Sequence, residues 1–406
     1  MKHLFLLLVF TLFGWLPVAK SITLEEAIRE ALSTHPLLAV FGNRIEAASG
    51  KKEQVGLRPN PLFVYQSEDW RAWQEPGHRY WQDADHFFYL QQTFETASKR
   101  SKRVSVAEAN RRRAEIELAL QKQIIASRVR SAYWDAAGAQ QKEQLLRRAV
   151  ERFKEITQYH RDQVREGAMA EADLLRVELE EQRIQLTANA TAVDLQLQLV
   201  RLQREMGRSE IQTLAIESPF ENIPAAPVST LQNALQQRAE AQLARQVIVL
   251  ADAQLDLEKA ISTPNFDGLA GYKRSHEFDT MLIGIQVLVP FFNRNQGNIA
   301  SASAEERLAR NALSSTEALI RTEYDGAARE LELRRRQLQS SVNPLRERAQ
   351  QTANLAQASY RLGGADLLRL LDAQRQLLDT EQLYVEAMLA LRQAEANLQS
   401  AAGVTQ

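Results

Sequence analysis

Apolar residues recur at helical spacing over stretches far longer than a globular core requires. Residues 298–362 contain a single proline, Pro344, and residues 365–402 contain neither proline nor glycine. Between them lies Tyr360-Arg-Leu-Gly-Gly-Ala-Asp-Leu-Leu-Arg-Leu-Leu-Asp372, a glycine turn that predicts the tip of a long helical hairpin. A near copy, Val164-Arg-Glu-Gly-Ala-Met-Ala-Glu-Ala-Asp-Leu-Leu-Arg176, stands upstream. Gly167 precedes Gly207 by 40 residues, as Gly363 precedes Gly403. The pattern therefore predicts one unit used twice.

Each unit reads in the same order. A helix over about 22–57 stops at Arg58-Pro59-Asn60-Pro61, because proline lacks the amide donor and restricts its predecessor. Two strands follow, 62–70 and 87–95, then a helix over 102–165, about 95 Å at 1.5 Å per residue, the first tip, and a helix over 171–206. Pro219, Pro224 and Pro227 break the pattern. The order then repeats as a helix over 230–261, strands 266–273 and 281–289, a helix over 298–362, the second tip and a helix to 402. Four pairs of anchors keep their order: Thr23 with Thr230, Pro59 with Pro264, Arg100 with Arg294, and Gly167 with Gly363. Duplication follows from that coincidence, with a longer first hairpin loop accounting for the changed offset. The expected boundaries are a first repeat over 22–207 with its β-hairpin at 61–97, an equatorial linker over 208–229, and a second repeat over 230–406 with its hairpin at 265–290.

The last helix carries Leu370, Leu377, Tyr384, Leu391 and Leu398 at intervals of seven, with Ala373, Thr380, Ala387, Ala394 and Ala401 three positions on. That is a coiled-coil seam in which large residues face small ones. The first copy keeps Leu174, Ala188, Leu195 and Leu202, and Glu181 breaks its register. In the strand over 87–95, Phe88, Leu90 and Phe94 share a side with Gln92 as the exception, while Tyr89, Gln91, Thr93 and Glu95 take the other. This alternation suits a barrel wall between lipid and a wet lumen, and equally the edge of a soluble sandwich.

Charge and composition narrow the partners. Fifty Lys and Arg against 51 Asp and Glu leave no basic surplus for phosphate, which excludes nucleic acid as the main partner. Residues 1–21 read as a secretory signal, with Lys2, an apolar run over 4–16 and Ala19-Lys20-Ser21 as the cleavage site. No later run is apolar enough for a membrane-spanning helix, so any membrane passage must use strands closed into a barrel. The chain has no cysteine, hence no disulfide and no lipid-modified cysteine.

Six histidines show no metal-binding spacing. Glu75, His78, Asp83, Asp85 and His86 gather in the first hairpin loop beside Trp70, Trp73 and Trp81, which reads as a metal site or as a solvated extracellular loop flanked by interface aromatics. No phosphate loop, nucleophile elbow or carboxylate pair appears, so neither enzyme activity nor a cofactor is expected.

Taken together, the duplicated unit, Gly167 with Asp173 six residues on, Tyr360-x-x-Gly363, and Leu371-Asp372-Ala373 beyond it resemble the TolC-like outer-membrane factors over the whole mature length. Val289-Pro-Phe-Phe-Asn-Arg-Asn-Gln-Gly297 is similar to the branch serving cobalt, zinc and cadmium exporters. The resemblance implies an α+β membrane protein whose coiled-coil hairpins form a periplasmic tunnel. Four strands per chain would contribute to a 12-stranded β-barrel in a homotrimer. It implies an exit duct in the outer membrane, coupled to a periplasmic adaptor and an inner-membrane RND pump.

It also implies a periplasmic gate. Asp372 is the expected ring residue and Asp173 with Tyr360 the expected latch pair. The chain departs from the family where Ala365 replaces a basic residue and Arg369 an aspartate, leaving Arg369 to pair with Asp366 or Asp372. From the residues alone, Asp366 and Asp372 also read as acids stabilising a helix N-terminus. Arg165, Gly167, Arg361, Gly363 and Gly364 form the expected adaptor-contact tips, and the two arginines also read as cations at helix C-termini. Other readings are a duct for drug efflux or type I secretion, or a periplasmic coiled-coil scaffold without a pore.

Overall fold

The computed structural model describes residues 20–71, 73–217, 220–221, 230–276 and 278–405. Most of the expected signal, 1–19, and Pro219, Pro224 and Pro227 lie outside the described residues.

In the first repeat, strand β1 (Lys20–Ile22) leads to helices α1 (Leu24–Thr34) and α2 (Pro36–Val55). Strand β2 (Leu62–Glu68), a short helix α3 (Tyr80–Asp83) and strand β3 (Asp85–Phe94) make the hairpin. Helix α4 (Lys99–Arg165) runs unbroken to the first tip, and α5 (Glu171–Glu205) returns. After strand β4 (Leu214–Ile216), the second repeat continues with α6 (Leu231–Gln237), α7 (Ala239–Ile261), β5 (Phe266–Arg274) and β6 (Asp279–Val287). Helices α8 (Gln296–Gln337), α9 (Asn343–Arg361) and α10 (Leu367–Ala401) complete it.

Three expectations need correction. The helix expected over 22–57 is two helices, because Pro36 excludes the helical conformation for His35, which is extended at φ −61°, ψ 124°. The helix expected over 230–261 also breaks, at Arg238 (φ −63°, ψ 129°), although no proline follows. There tertiary bonds replace the lost helical ones: the Ala239 amide donates to Gln123 Oε1 at 3.0 Å, and the Arg238 guanidinium holds Glu240 and Glu323. The long helix over 298–362 is interrupted by a π-helical turn, Leu338–Val342, directly before Pro344. Proline cannot donate to the carbonyl four residues back and its ring crowds that carbonyl, and the wider turn makes room.

Part of the segment read as irregular linker is β4, which pairs in parallel with β1 through Lys20–Leu214, Ser21–Ala215 and Ile22–Ile216. This pair closes over the midpoint of α4, where Tyr133, Trp134, Leu202, Met206, Met388 and Leu391 form the largest buried cluster. Tyr133 donates its hydroxyl to the Glu217 carbonyl at 2.7 Å. Nearby Arg392 is buried with its guanidinium 4.6 Å above the Trp134 ring.

The helix ends at Gly167, Gly207, Gly363 and Gly403 use one device. At these glycines φ lies between 72° and 79°. In each, the glycine amide and the next amide donate back to carbonyls three and five residues upstream, for example Gly363 to Tyr360 at 3.1 Å and Gly364 to Ser359 at 2.8 Å. This is the Schellman end, which needs the left-handed conformation that glycine adopts cheaply. The seam of α10 buries Leu370, Leu377, Leu391 and Leu398 with Ala373, Thr380, Ala394 and Ala401. In α5 the buried register is instead Val177, Ile184 and Thr191 with Ala188 and Leu202, and Glu180 rather than Glu181 is buried.

The sheet runs β2-β3-β5-β6, antiparallel throughout. Its register stacks Phe63, Leu90, Ala270 and Ile283 in one row and Tyr65, Phe88, Tyr272 and Met281 in the next, all on one face. The opposite face carries rows such as Gln66, Phe87, Lys273 and Thr280, and Thr93, Asp267 and Gln286. Met281, Ile283 and Ile285 are 83%, 80% and 74% exposed, so the apolar face has no partner among the described residues. No described helix is long and apolar enough to cross a membrane.

Candidate functional site: the helical tips

At the second tip, α9 ends in the Gly363 turn and α10 begins three residues beyond Gly364, at Leu367. Asp366 is the N-cap: its Oδ1 accepts from the Arg369 backbone amide at 2.9 Å, which satisfies one of the free donors of the first turn. Arg369 thus meets Asp366 through its backbone. Asp372 lies one turn further on, exposed, and accepts from Gln376 Nε2 at 2.9 Å. Its charge also reaches Arg375, whose guanidinium is held in the charged form first by the carboxylate of Glu180. Glu180 is buried on α5, so Arg375 bridges the two repeats.

At the first tip, Ala170 caps α5 without a side-chain bond. Asp173 instead binds Arg176 at 3.3 Å, and Arg165 binds Asp162 at 3.4 Å. Both are exposed pairs three residues apart on one helix, worth a few tenths of a kcal/mol at about 0.2–0.5. Leu362 is 87% exposed, and Arg361 and Gly363 are exposed beside it.

Within the single chain, Tyr360 is bonded to His160 and not to Asp173. Its hydroxyl lies 2.8 Å from His160 Nε2 on α4, and the two rings stack at 5.5 Å and 16°. His160 is fully buried, and its Nδ1 lies 2.7 Å from the Ile156 carbonyl. A carbonyl only accepts, so Nδ1 carries the proton, Nε2 accepts, and Tyr360 is the donor. Burial pushes the Tyr360 phenol above its ordinary value, with Tyr159 and Asp173 adding to the shift, which keeps that donor protonated. Asp173 therefore acts on Tyr360 through its field.

Within the first hairpin, Arg161 and Glu178 pair 2.8 Å apart between α4 and α5. A cavity of about 110 Å³ lies between α4, α9 and α10, lined by Ile156, Tyr159, His160, Tyr360, Leu370 and Gln374. His160, Glu180 and Arg375 are the residues that sequence reasoning missed. For Glu180 the burial register of α5 was a signal, since it falls between Val177 and Ile184; for His160 the sequence offered none.

The acids and histidines of the first hairpin loop do not converge. Asp83 binds Arg79, Asp85 binds Lys273 at 2.8 Å, and His86 lies between the Tyr65 hydroxyl and the Tyr80 carbonyl. Among the described residues, no three His, Asp or Glu stand close enough to hold a metal ion.

The profile of the family described as "Outer membrane efflux protein" matches residues 27–208 and 230–404. The chain is 23% identical over 388 residues to the cobalt-zinc-cadmium resistance protein CzcC of Cupriavidus metallidurans, covering 94% of this chain and 90% of that protein. Its fold matches crystal structures of CusC, with a TM-score of 0.77 at 17% identity, covering 94% of this chain and 92% of that one. It also matches the outer membrane protein VceC of Vibrio cholerae, with a TM-score of 0.74 at 19% identity, covering 94% and 96%. With the profile spanning both halves of the chain, this protein belongs to the outer membrane efflux protein family.

Proposed function

We propose that the protein is the outer-membrane exit duct of a tripartite efflux system that exports heavy-metal cations. The observation that carries the cargo is the near full-length likeness to CzcC, which is named for resistance to cobalt, zinc and cadmium. The duct imposes little selectivity, because a wide passage cannot coordinate a bare ion, and the inner-membrane pump chooses the substrate. The partners are a periplasmic adaptor meeting the tips around Arg165, Gly167, Arg361, Gly363 and Gly364, and an RND pump beneath it.

The duct is a homotrimer. The sheet ends in two free edges, β2 and β6, which lipid cannot satisfy, and three copies joined edge to edge close a 12-stranded barrel without one. A second support lies on α5, where Leu179, Leu186 and Val193 recur at seven residues, each more than 60% exposed in the single chain. Such a stripe seats against a helix of a neighbouring copy. In the trimer Asp372 faces the aperture as an acidic ring, Asp366 and Arg369 set the first turn of the helix that carries it, and Tyr360 with Asp173 governs how tightly the tips hold together.

The test is genetic. A deletion strain should lose tolerance to one or more of cobalt, zinc, cadmium, nickel and copper while a drug panel is unaffected, and plasmid-borne protein should restore it. Loss of drug tolerance with unchanged metal tolerance would assign the duct to another cargo.

A further inference from the structure

One polar side chain stands in the apolar stripe of α10, where Gln374 follows Leu370 and Leu371 and precedes Leu377. It is 4% exposed. Nearby polar residues on α10 have partners, Asp372 in Gln376 and Arg375 in Glu180. The Gln374 amide has no hydrogen-bond partner among the described residues. A buried amide left without a partner is costly, so something must meet it. Gln374 lines the cavity of about 110 Å³ between α4, α9 and α10, and that space is where its partner must lie.

The lining of the cavity has a chemical bias. Ile156, Tyr159 and Leu370 make apolar walls. The charged residues are Arg152 and Arg361 against one carboxylate, Glu155, and neither arginine has an ion-pair partner among the described residues. Arg152 stands about 12 Å up α4 from the level of His160, at 1.5 Å per residue, whereas Arg361 follows Tyr360 at the tip, so the cations mark opposite ends. His160 adds neither charge nor a free donor, because its nitrogens are taken by the Ile156 carbonyl and the Tyr360 hydroxyl. At about 30 Å³ per molecule of liquid water, the space equals three or four waters, which is also the size of a carboxylate of about two to four carbons.

We propose that this cavity binds a small monocarboxylate. The Gln374 amide donates to one carboxylate oxygen, the Arg152 guanidinium balances the charge, and the short apolar stem lies against Ile156, Tyr159 and Leu370. Water alone could satisfy the amide, but an excess of cation beside apolar walls selects an anion with an apolar body. A ligand held in this way touches α4, α9 and α10 together. These helices meet at the Tyr360–His160 bond, so binding favours the arrangement of the tip in which that bond is made.

The test titrates the purified full chain in detergent with sodium butyrate, against sodium chloride at the same ionic strength. Binding is read by saturation transfer from protein to the butyrate methyl, and stability by the melting temperature from circular dichroism. Butyrate should give saturable transfer and raise the melting temperature by several degrees where chloride does not. Gln374→Leu removes the lone amide, so without butyrate it should melt no lower than the parent, yet its affinity should fall at least tenfold. Arg152→Gln, at the partly exposed end of the cavity, should lose affinity to a similar degree with an unchanged melting temperature, and it keeps the test decisive if the leucine variant fails to fold. A parent that responds to butyrate only as it does to chloride would show that the cavity holds water and would overturn the proposal. Equal butyrate affinity in the parent and both variants would overturn it too. Because binding is read without transport, its failure leaves the duct reading untouched.

Discussion

Tyr360 and His160 join the two repeats 2.8 Å apart, from helices 200 residues distant in sequence, at the level of the tips. The bond is directional, since His160 has committed its only proton to Ile156. Tyr360→Phe removes the donor while keeping the ring stack, and leaves a buried nitrogen without a partner. The expected loss is about 1 kcal/mol of thermal stability. If the contact also restrains the tips, single-channel conductance of the reconstituted variant rises; the stability loss with unchanged conductance would make the contact a packing feature only.

Asp372 stands exposed, with the neutral Gln376 as its bonded partner among the described residues. Three symmetry-related copies around one axis would attract multivalent cations. Asp372→Ala in purified trimers should raise conductance and weaken block by such cations. The control is Asp366→Asn, which retains the N-cap and should leave block unchanged.

The four Schellman glycines should not respond alike to alanine. At Gly167 an added Cβ meets open space, so Gly167→Ala costs only the left-handed strain, about 1 kcal/mol. At Gly207 the same atom would stand 2.8 Å from the His35 ring and 2.9 Å from Pro36, both fixed by the break between α1 and α2. Gly207→Ala should therefore lower the melting temperature distinctly more than Gly167→Ala, as followed by circular dichroism.

His35 is also a pH reporter. Its Nδ1 accepts from the Leu37 amide at 3.2 Å, which a protonated ring cannot do. Burial lowers its pKa below 6.5, against the opposing pull of Glu205. With the folded value below the unfolded one, the contribution is present in full above pH 6.5 and is lost as pH falls from there through the folded value. His35→Asn keeps a capping acceptor without a titration, so its melting temperature should change less than that of the parent across this interval. Equal slopes for the two proteins would assign the acid sensitivity elsewhere.

Leu186 lies at the middle of the exposed heptad stripe on α5 and is 70% exposed. Leu186→Lys should leave the helical spectrum of the chain intact and lower the fraction of heat-modifiable trimer on gels, because a charge would be buried only on assembly. A trimer as stable as the parent would place the subunit contact on another face.

The sequence by itself determined the periodic and punctuated features: long helices, four strands with one apolar face, paired tips and a doubled unit. These are local or periodic, and glycine, proline and heptads act within a few residues of where they stand. Even there, Pro36 and Pro344 gave notice of breaks that the helical period obscured. Only the tertiary structure decided the rest. Arg238 interrupts a helix because Gln123, Glu240 and Glu323 supply other bonds. The strand Leu214–Ile216 exists because Lys20–Ile22 lies beside it. Tyr360 turns to His160, and Arg375 to Glu180, because packing α4, α5, α9 and α10 together sets which polar atoms are withdrawn from water and must find one another. That choice depends on distances between residues far apart in the chain, which neither period nor punctuation encodes.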